Sequence, residues 1–400
     1  MRIGIIGTGV AGSLFLERLR GDRRFSLQGY ERVAEGAREQ AGTGLNICPN
    51  ALKALRLHHP AGHAALRAAS LPWRRWWAGL ADGTTLLDLD LLDVAEEEGV
   101  RLRWSDLYGL MRAPVADQTR YGRTLEALEE DAAGRLVPVF RCDDGTLARE
   151  GGFDLLVAGD GRYSKLRELT EGTPEPAFFG IGMTRLLVAD EAGCPFDEYG
   201  QWFNGNNRLL AYRLPRGGVY IAGAFPLAAG MDFTPQMRTA EHARAMYLPK
   251  DAAPCPAVAW MVDKTCAHIA DVHWARLQIT PLSRSAAGGR VLFLGDSAHA
   301  MVPTLGQGAT QAIEDGVLAA AVFLAGGGVA EVAALREPRV TFIREFSVEA
   351  TDSMLPGADV AALTRAKGDA PFLEKLRRAY TDVPEAVVTS RPSERIASPG

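Results

Sequence analysis

The sequence has few cysteines and no long apolar run. Its five cysteines among 400 residues are scattered, odd in number and without a C-x-x-C pair, a pattern typical of reduced thiols rather than of a disulfide framework. No apolar stretch approaches the roughly 18 residues that span a bilayer. The glycine-interrupted start "MRIGIIGTGVAG" lacks a signal-peptide cleavage pattern. We therefore expect a cytoplasmic protein with no membrane partner.

The sequence also has no excess of basic residues over acidic ones. Lysine and arginine number 44 against 49 aspartates and glutamates, for a net charge of -5, which argues against a surface for nucleic acid. The cluster "PWRRWW" at 72–77 fits a sheet edge better than a base-stacking surface. With 47% hydrophobic and 23% charged residues, the chain is typical of a globular protein of one large domain or two.

The N-terminal segment "RIGIIGTGVAGSLFLERL" predicts an apolar strand, a glycine-rich turn and an amphipathic helix. Gly7 permits a tight turn, Gly9 lets the backbone approach a pyrophosphate, and Gly12 lets the helix and the strand pack closely. A second strand ends at Glu31, about 20 residues beyond the loop, where an acid would hold a ribose hydroxyl. This order predicts dinucleotide binding. The Glu31 carboxylate would repel the 2′-phosphate of NADP, but Arg32 could attract that phosphate. The loop alone therefore does not decide whether the dinucleotide is NAD, NADP or FAD.

A second loop of small residues lies far along the chain. The segment "GDSAHAMVPTLGQGATQAIED" (295–315) follows the apolar run "RVLFLG", and it predicts an acid at a strand end, a glycine-rich loop and a helix. No second G-x-G-x-x-G is present, since "GGVYIAG" and "GGRVLFLG" lack the spacing. The chain is β-rich between 177 and about 265 and helical after Gly308. The second loop could belong to another nucleotide site, to a metal site or to a distant part of the first site.

Three features occur in a specific order: the first glycine loop with Glu31, "DLLVAGDGRYSKLR" at 154–167, and the second loop. Together they resemble the single-component FAD-dependent aromatic hydroxylases, the group A or p-hydroxybenzoate-hydroxylase-like flavoprotein monooxygenases. "GLNICPNALKAL" and "GMTRLLV" are most similar to the salicylate and 6-hydroxynicotinate hydroxylase branch. The resemblance extends from Met1 to about Leu324. It implies that the second loop meets the opposite end of the same FAD that the first loop holds.

The implied fold is α/β: a Rossmann-like FAD-binding domain of the GR2 type, an inserted β-sheet substrate domain and C-terminal helices. On this reading the FAD-binding domain comprises 1–72, 93–171 and 272–385. The substrate domain comprises 73–92 and 172–271, and the polar tail 386–400 is expected to be disordered.

The resemblance also implies a set of cofactor-binding residues: Gly7, Gly9, Val10, Ala11, Gly12, Glu31, Arg32, Arg103, Asp160, Arg167, Asp296, Gly306, Gly308, Ala309 and Thr310. Asp296 would bind the ribityl chain, and the backbone amides from Gly306 to Thr310 would face the isoalloxazine. Asp160 and Arg167 would serve both FAD and NAD(P)H. Arg103, in "RWSDL", would touch the flavin, and Pro303 would lie against the ring near its reacting carbon.

Substrate residues are expected on the inserted strands, where one alternating face would line the pocket. The candidates there are Arg185, Trp202, Tyr212, Arg213 and Tyr220. Arg185 or Arg213 could hold a carboxylate, and Tyr212 joins Pro303 as a candidate catalytic residue, although no clear base is apparent.

Two other polar groups are expected to play no catalytic part. We expect His299 to make a structural hydrogen bond, because it follows a motif devoted to the cofactor. The set Cys255, Cys266, His268 and His273 matches no common zinc spacing, so no metal is expected.

The implied activity is an FAD-dependent, NAD(P)H-consuming monooxygenase that hydroxylates a small aromatic or N-heteroaromatic molecule with O₂, through a C4a-hydroperoxyflavin. The choice between NADH and NADPH stays open, and a monomer or a homodimer is expected. One alternative is a flavin halogenase or reductase of the same fold, but "WRRWW" does not match the halogenase pattern W-x-W-x-I-P. Another is a catalytically silent flavoprotein.

Overall fold

The computed structural model describes residues 1–36, 43–189, 193–228 and 230–385. The tail at 386–400, expected to be disordered, lies outside the described residues. In chain order the strands are β1 (Arg2–Ile6), β2 (Ser26–Tyr30), β3 (Gly44–Ile47), β4 (Leu71–Trp73), β5 (Arg75–Leu80), β6 (Thr85–Asp90), β7 (Gly99–Arg103), β8 (Thr119–Arg120), β9 (Arg123–Glu130), β10 (Leu136–Cys142), β11 (Leu147–Arg149), β12 (Leu155–Ala158), β13 (Ala177–Val188), β14 (Gly200–Asn204), β15 (Asn207–Leu214), β16 (Gly218–Pro226), β17 (His273–Ile279), β18 (Ser285–Ala286) and β19 (Val291–Phe293).

The helices accompany both large sheets and dominate the C-terminal part. They are α1 (Val10–Leu19), α2 (Pro49–His58), α3 (Pro60–Ala68), α4 (Trp104–Arg112), α5 (Lys165–Glu171), α6 (Ala240–Tyr247), α7 (Pro256–Ala267), α8 (Asp296–His299), α9 (Gln307–Leu324), α10 (Val329–Glu349), α11 (Val360–Ala366) and α12 (Ala370–Thr381).

A six-stranded sheet in the order β18-β19-β12-β1-β2-β8 forms the nucleotide-binding half. Its strands are parallel except for β18, and β1 and β12 are short apolar runs because helices and loops cover both of their faces. Ile6 lies opposite Tyr30 on one side and Ala158 on the other, and Ala158 lies opposite Phe293. The chain segments that follow these four strands therefore leave the sheet at one edge, where ligands bind in open α/β sheets.

A seven-stranded sheet in the order β17-β13-β16-β15-β14-β5-β6 forms the other half. Its neighbours are antiparallel except β14 and β5. A turn at Asp82-Gly83 joins β5 to β6, and Gly83 adopts a φ of 97°. The predicted substrate segment ended at residue 271, but β17 pairs with β13 in this sheet. The sheet therefore continues past that boundary, while the division into domains stays a prediction.

Close packing of α9 against α1 joins the second glycine loop to the first. A Cβ placed on Gly316 in α9 would come within 2.8 Å of the Ala11 carbonyl oxygen and 2.7 Å of the Leu14 Cβ. A Cβ on Gly295 would lie 3.6 Å from that of Ala11. The two loops, almost three hundred residues apart in sequence, thus lie side by side.

In the part of the chain that the structure describes, no helix is both long and apolar enough to cross a membrane. Across the same ranges, His, Cys, Asp and Glu side chains form no group that could hold a metal ion.

Candidate active site

A cavity of about 300 Å³ lies where the seven-stranded sheet, β3 and the second glycine loop meet. The second loop contributes Asp296, Pro303, Gly306, Gly308 and Ala309 to its lining. Its aromatic lining residues are Trp73, Trp76, Trp104, Tyr199, Tyr212, Tyr220 and Tyr380. A mostly apolar cavity with a few convergent polar groups is the usual form of a small-molecule site.

The first glycine loop turns tightly at the carboxyl edge of β1. Gly7 has a φ of 86°, and a Cβ there would lie 2.6 Å from the Asp160 backbone. A Cβ on Gly12 would lie 2.2 Å from the Gly7 carbonyl oxygen, and one on Gly9 would lie 3.0 Å from the Gly159 carbonyl oxygen. The predicted needs for a tight turn at Gly7 and for close packing at Gly12 are therefore confirmed. The contact of Gly9 with a pyrophosphate stays a prediction.

Glu31 is buried at the end of β2, and protein groups hold its carboxylate. One oxygen accepts hydrogen bonds from Thr8 Oγ1 (3.4 Å) and Arg112 Nη2 (3.1 Å), and the other accepts from the Val33 amide (3.2 Å). Arg32 is exposed. Arg112 was not among the predicted residues, because it ends α4 outside any motif and reaches Glu31 only through the fold. Binding of a ribose by Glu31 stays a prediction.

Asp160 and Arg167 of the Asp-Gly motif differ in whether their side-chain polar atoms are free to bind a ligand. Asp160 is half-buried with an unpartnered Oδ1, and burial raises the pKa of its carboxyl to about 6. Arg167 donates to the Ser297 carbonyl (3.1 Å), the Pro281 carbonyl (2.9 Å) and Glu171 (3.1 Å). Since three of its nitrogens already bind protein, the geometry favours a structural role for Arg167 over the predicted contact with both nucleotides.

The N-terminus of α9 faces the cavity without a cap. Gly306 precedes it in the left-handed region with a φ of 67°, no side chain bonds to its first amides, and its first turn carries no acid. Thr310 is buried, and its hydroxyl donates to the Gly306 carbonyl (3.0 Å) and accepts from the Cys48 amide (3.1 Å). Asp296 also lines the cavity, with its Oδ1 3.8 Å from the position of a Gly308 Cβ. An uncapped helix start favours negative charge.

Several unsatisfied polar groups lie in or beside the cavity. Both side-chain amide atoms of Asn46 in β3 are buried without a hydrogen-bond partner, and Asn46 lines the cavity beside Gly306. Arg103 ends β7 against Gly218, next to the cavity-lining Trp104, with an unpartnered buried Nε. Buried polar groups normally have partners, so these groups fit a bound ligand with carbonyl, amide and hydroxyl groups, as FAD has. Asn46 lay in a segment that the resemblance singled out, but its sequence position gave no sign of an open amide.

The predicted substrate residues fall on two faces of the sheet. Arg185 in β13, Tyr212 in β15 and Tyr220 in β16 line the cavity, as expected. The placement predicted for Trp202 and Arg213 is wrong. Trp202 packs against Trp77 and Phe196 on the other face. The Arg213 guanidinium donates to the carbonyls of Phe196 (3.0 Å) and Cys194 (3.2 Å). Side chains alternate along a strand, so Arg213 cannot face the cavity beside Tyr212. Trp202 lies opposite Leu209 of β15, which is on the same face as Arg213.

Arg208 is a charged cavity residue that the sequence reasoning missed. It lies in β15 four residues before Tyr212 and therefore on the same face, and it is only 5% exposed. Its Nη1 donates a long hydrogen bond of 3.4 Å to the Gln201 side chain, and its Nε has no partner. Within the described ranges no carboxylate pairs with it, and burial lowers the pKa of its guanidinium. The alternation of side chains along β15, counted back from Tyr212, was the sequence signal that could have identified Arg208.

Pro303 lines the cavity and His299 does not, while the predicted contact of Pro303 with the flavin ring stays a prediction. Pro303 is exposed on the cavity lining. His299 is fully buried, and its Nε2 lies 2.7 Å from Asp315 Oδ2, which confirms a structural hydrogen bond.

Comparisons with known proteins agree with this geometry. A family model described as an FAD binding domain matches residues 263–331, which include the second loop. An FAD-dependent urate hydroxylase of Klebsiella pneumoniae is 28% identical over 84% of both chains. The 3-amino-4-hydroxybenzoate 2-monooxygenase PtnB3 of Streptomyces platensis is 29% identical over 87% of both. A 6-hydroxynicotinate 3-monooxygenase of Pseudomonas fluorescens is 26% identical over 80% of this chain and 81% of that one.

Solved structures show the same architecture. A single-substitution variant of HpxO of Klebsiella pneumoniae, crystallised with FAD, matches with a TM-score of 0.74 and 25% identity over 94% of both chains. A 2-methyl-3-hydroxypyridine-5-carboxylic acid oxygenase shares the fold with a TM-score of 0.70, at 18% identity over 97% of this chain and 99% of that one. With the paired glycine loops and the open helix start above an aromatic cavity, these matches show an FAD-binding enzyme that is similar to the group A flavoprotein monooxygenases.

Proposed function

We propose that this enzyme hydroxylates a small aromatic or N-heteroaromatic ring that carries an acidic oxygen, using NADH or NADPH as electron donor and O₂ as co-substrate. The observation that carries the proposal is Arg208, a buried cation without a carboxylate partner, which lines an aromatic-walled cavity. A buried unpaired charge costs several kcal/mol. An anionic substrate oxygen would supply the missing partner and would keep the ring electron-rich.

The chain's own groups suit this task. When bound, FAD would supply hydride acceptance and oxygen activation. Burial raises the pKa of Tyr212 well above its ordinary value and also raises that of Tyr220, so both hydroxyls stay protonated and donate hydrogen bonds rather than act as bases. The aromatic walls exclude water, and the start of α9 favours negative charge on the group that it faces. Pro303, Tyr212 and Arg185 keep their predicted roles within this proposal, as does the oxygen-transfer route that the resemblance implies.

The first test is a substrate screen with the purified FAD-loaded enzyme. The panel includes urate, 6-hydroxynicotinate and 3-amino-4-hydroxybenzoate, the compounds in the names of the relatives. We expect an acidic ring compound to stimulate oxidation of NADH or NADPH with O₂ uptake and to gain one oxygen by mass. Chloride-dependent formation of a halogenated product would indicate a halogenase. Flavin binding without stimulation by any ring compound would indicate a silent flavoprotein.

The second test replaces Arg208 with a neutral side chain of similar length. Arg208→Met should weaken substrate binding about tenfold or more, because a hydrogen bond to a charged group contributes about 1.5–3 kcal/mol. FAD affinity should not change. Arg213→Met is the matched control, since Arg213 lies in the same strand on the opposite face. Substrate-induced flavin difference spectra give both dissociation constants. Equal effects of the two substitutions would contradict the assignment of Arg208.

A further inference from the structure

Asp315 lies in the third turn of α9, fully buried, and does not line the cavity. Its Oδ2 accepts a hydrogen bond from the Gly295 amide at 2.8 Å and lies 2.7 Å from His299 Nε2. Gly295 precedes α8 and His299 ends it. One carboxylate oxygen therefore holds both ends of the short helix whose first residue is the cavity-lining Asp296.

The other side of the carboxylate faces two arginines. Arg336 Nε donates to Oδ1 at 2.8 Å, and Arg284 Nη1 lies 3.2 Å from Oδ2. Arg336 comes from α10 and Arg284 from the segment before β18. Because both guanidinium groups are buried with Asp315, the carboxylate is held at one position between α10 and the turn at Gly295.

The turn itself needs an external support. Gly295 adopts a φ of 62° and a ψ of -141°, and α8 has only four residues and no side-chain cap. Four residues cannot stabilise themselves as an isolated helix. The direction of the Asp296 side chain therefore depends on the groups that fix the turn, and Asp315 supplies two of those bonds.

We propose that Asp315 is a positioning residue for FAD: it fixes the turn at Gly295 so that Asp296 and the adjacent backbone face the cofactor. Residues that orient ligand-binding groups contribute to affinity without touching the ligand. Asp315 also links the cofactor turn to α10, so this helix supports a site whose cavity it does not line.

Glu314 provides a matched control. It is equally buried, it neighbours Asp315 in α9, and it is paired with Arg336 (2.7 Å) and Arg339 (2.6 Å). Its carboxylate also accepts from Asn50, but none of these partners lies in the turn. Loss of either carboxylate removes one buried charge from the same network. Only the loss of Asp315 frees the Gly295 amide and His299.

The experiment compares Asp315→Ala, Asp315→Asn and Glu314→Ala. FAD dissociation constants are measured by flavin fluorescence well below the melting temperature of each variant, together with the visible circular dichroism of the bound flavin. We expect Asp315→Ala to weaken FAD binding about tenfold or more and to change the dichroism. Asp315→Asn, which retains one acceptor oxygen, should be intermediate. Glu314→Ala should lose comparable thermal stability while its FAD affinity stays near that of the wild type.

Two outcomes would overturn the proposal. One is an unchanged FAD affinity in a folded Asp315→Ala or Asp315→Asn protein. The other is an equal loss of affinity in the Asp315 and Glu314 variants, which would assign both carboxylates to general stability. If Asp315→Ala does not fold, the comparison of Asp315→Asn with Glu314→Gln decides, because both are close in shape to the natural residues. None of these readouts needs a substrate, so the result is independent of the proposed activity.

Discussion

Asp160 shows how burial changes the chemistry of one carboxyl group. Its Oδ2 accepts a hydrogen bond from the Leu166 amide at 3.2 Å, but its Oδ1 has no partner, and burial raises its pKa to about 6. The ordinary pKa of an aspartate is about 3.9. The folded state thus binds this proton more tightly than the unfolded state does. The contribution of the group to stability is therefore present below about pH 4 and is lost as the pH rises to about 6.

Asp160→Asn removes this penalty. The cofactor-free variant should be more thermally stable than the wild type at pH 7, and the difference should shrink as the pH falls from 7 to 5. Melting temperatures across this range measure the effect, and Asp251→Asn, at an exposed position, serves as the control. A difference that does not depend on pH would contradict the raised pKa.

At the scale of the element, α9 combines two kinds of glycine. Gly308 lies in the first turn on the cavity lining, where a Cβ would meet only Asp296 Oδ1 at 3.8 Å. Gly316 lies against α1, where a Cβ would come within 2.8 Å of the Ala11 carbonyl oxygen. The first position keeps space for a ligand, and the second lets two helices approach.

Alanine at these two positions should have opposite effects. Gly308→Ala should leave the cofactor-free protein equally stable or more stable by up to about 1 kcal/mol, since alanine favours the helix, while its methyl group lowers FAD affinity. Gly316→Ala should destabilise the protein by about 1–3 kcal/mol through overpacking. Thermal melting without FAD and FAD titration separate the two effects. Unchanged FAD affinity in Gly308→Ala would remove the start of α9 from the cofactor site.

The strands show where a local pattern was sufficient and where it was not. Alternation along β15 correctly predicted one face toward the cavity, but Tyr212 and Arg213 are neighbours, so only one of them could face it. The same alternation, applied from Tyr212, would have led to Arg208. Trp202 could not be assigned from its own strand, because apolar side chains cover both faces of this sheet.

On the scale of the whole molecule, the candidate cofactor site is assembled from distant segments. The first loop (7–12), the Asp-Gly motif (160–167) and the second loop (295–315) leave neighbouring parallel strands at one edge of the six-stranded sheet. A ligand that contacts all of them should stabilise the folded chain as a unit. At a free concentration of 100 times its dissociation constant, such a ligand adds about 2.7 kcal/mol.

FAD should therefore raise the melting temperature in a concentration-dependent way. Riboflavin is the informative comparison, because it carries the ring and the ribityl chain but lacks the pyrophosphate and the adenosine. At equal concentrations we expect the riboflavin shift to be much smaller. A riboflavin shift equal to that of FAD would show that the first glycine loop adds nothing to binding.

The sequence by itself was sufficient to predict features in which a backbone conformation or a close contact requires a particular residue, such as glycine. Gly7 needs a positive φ and Gly12 has no space for a side chain, so the sequence of the first loop was enough to predict its turn and its packing. These demands depend on residues close in sequence, and so does the alternation of a strand.

Only the tertiary structure decided which face of each strand meets the cavity and which polar groups are satisfied. Arg167 is occupied by protein carbonyls, Arg208 lacks a carboxylate, and Asp315 holds the turn before Asp296. Burial and partners at these positions come from segments far away in the chain. Whether a charge binds a ligand or supports the fold is therefore a property of long-range packing, which no local pattern contains.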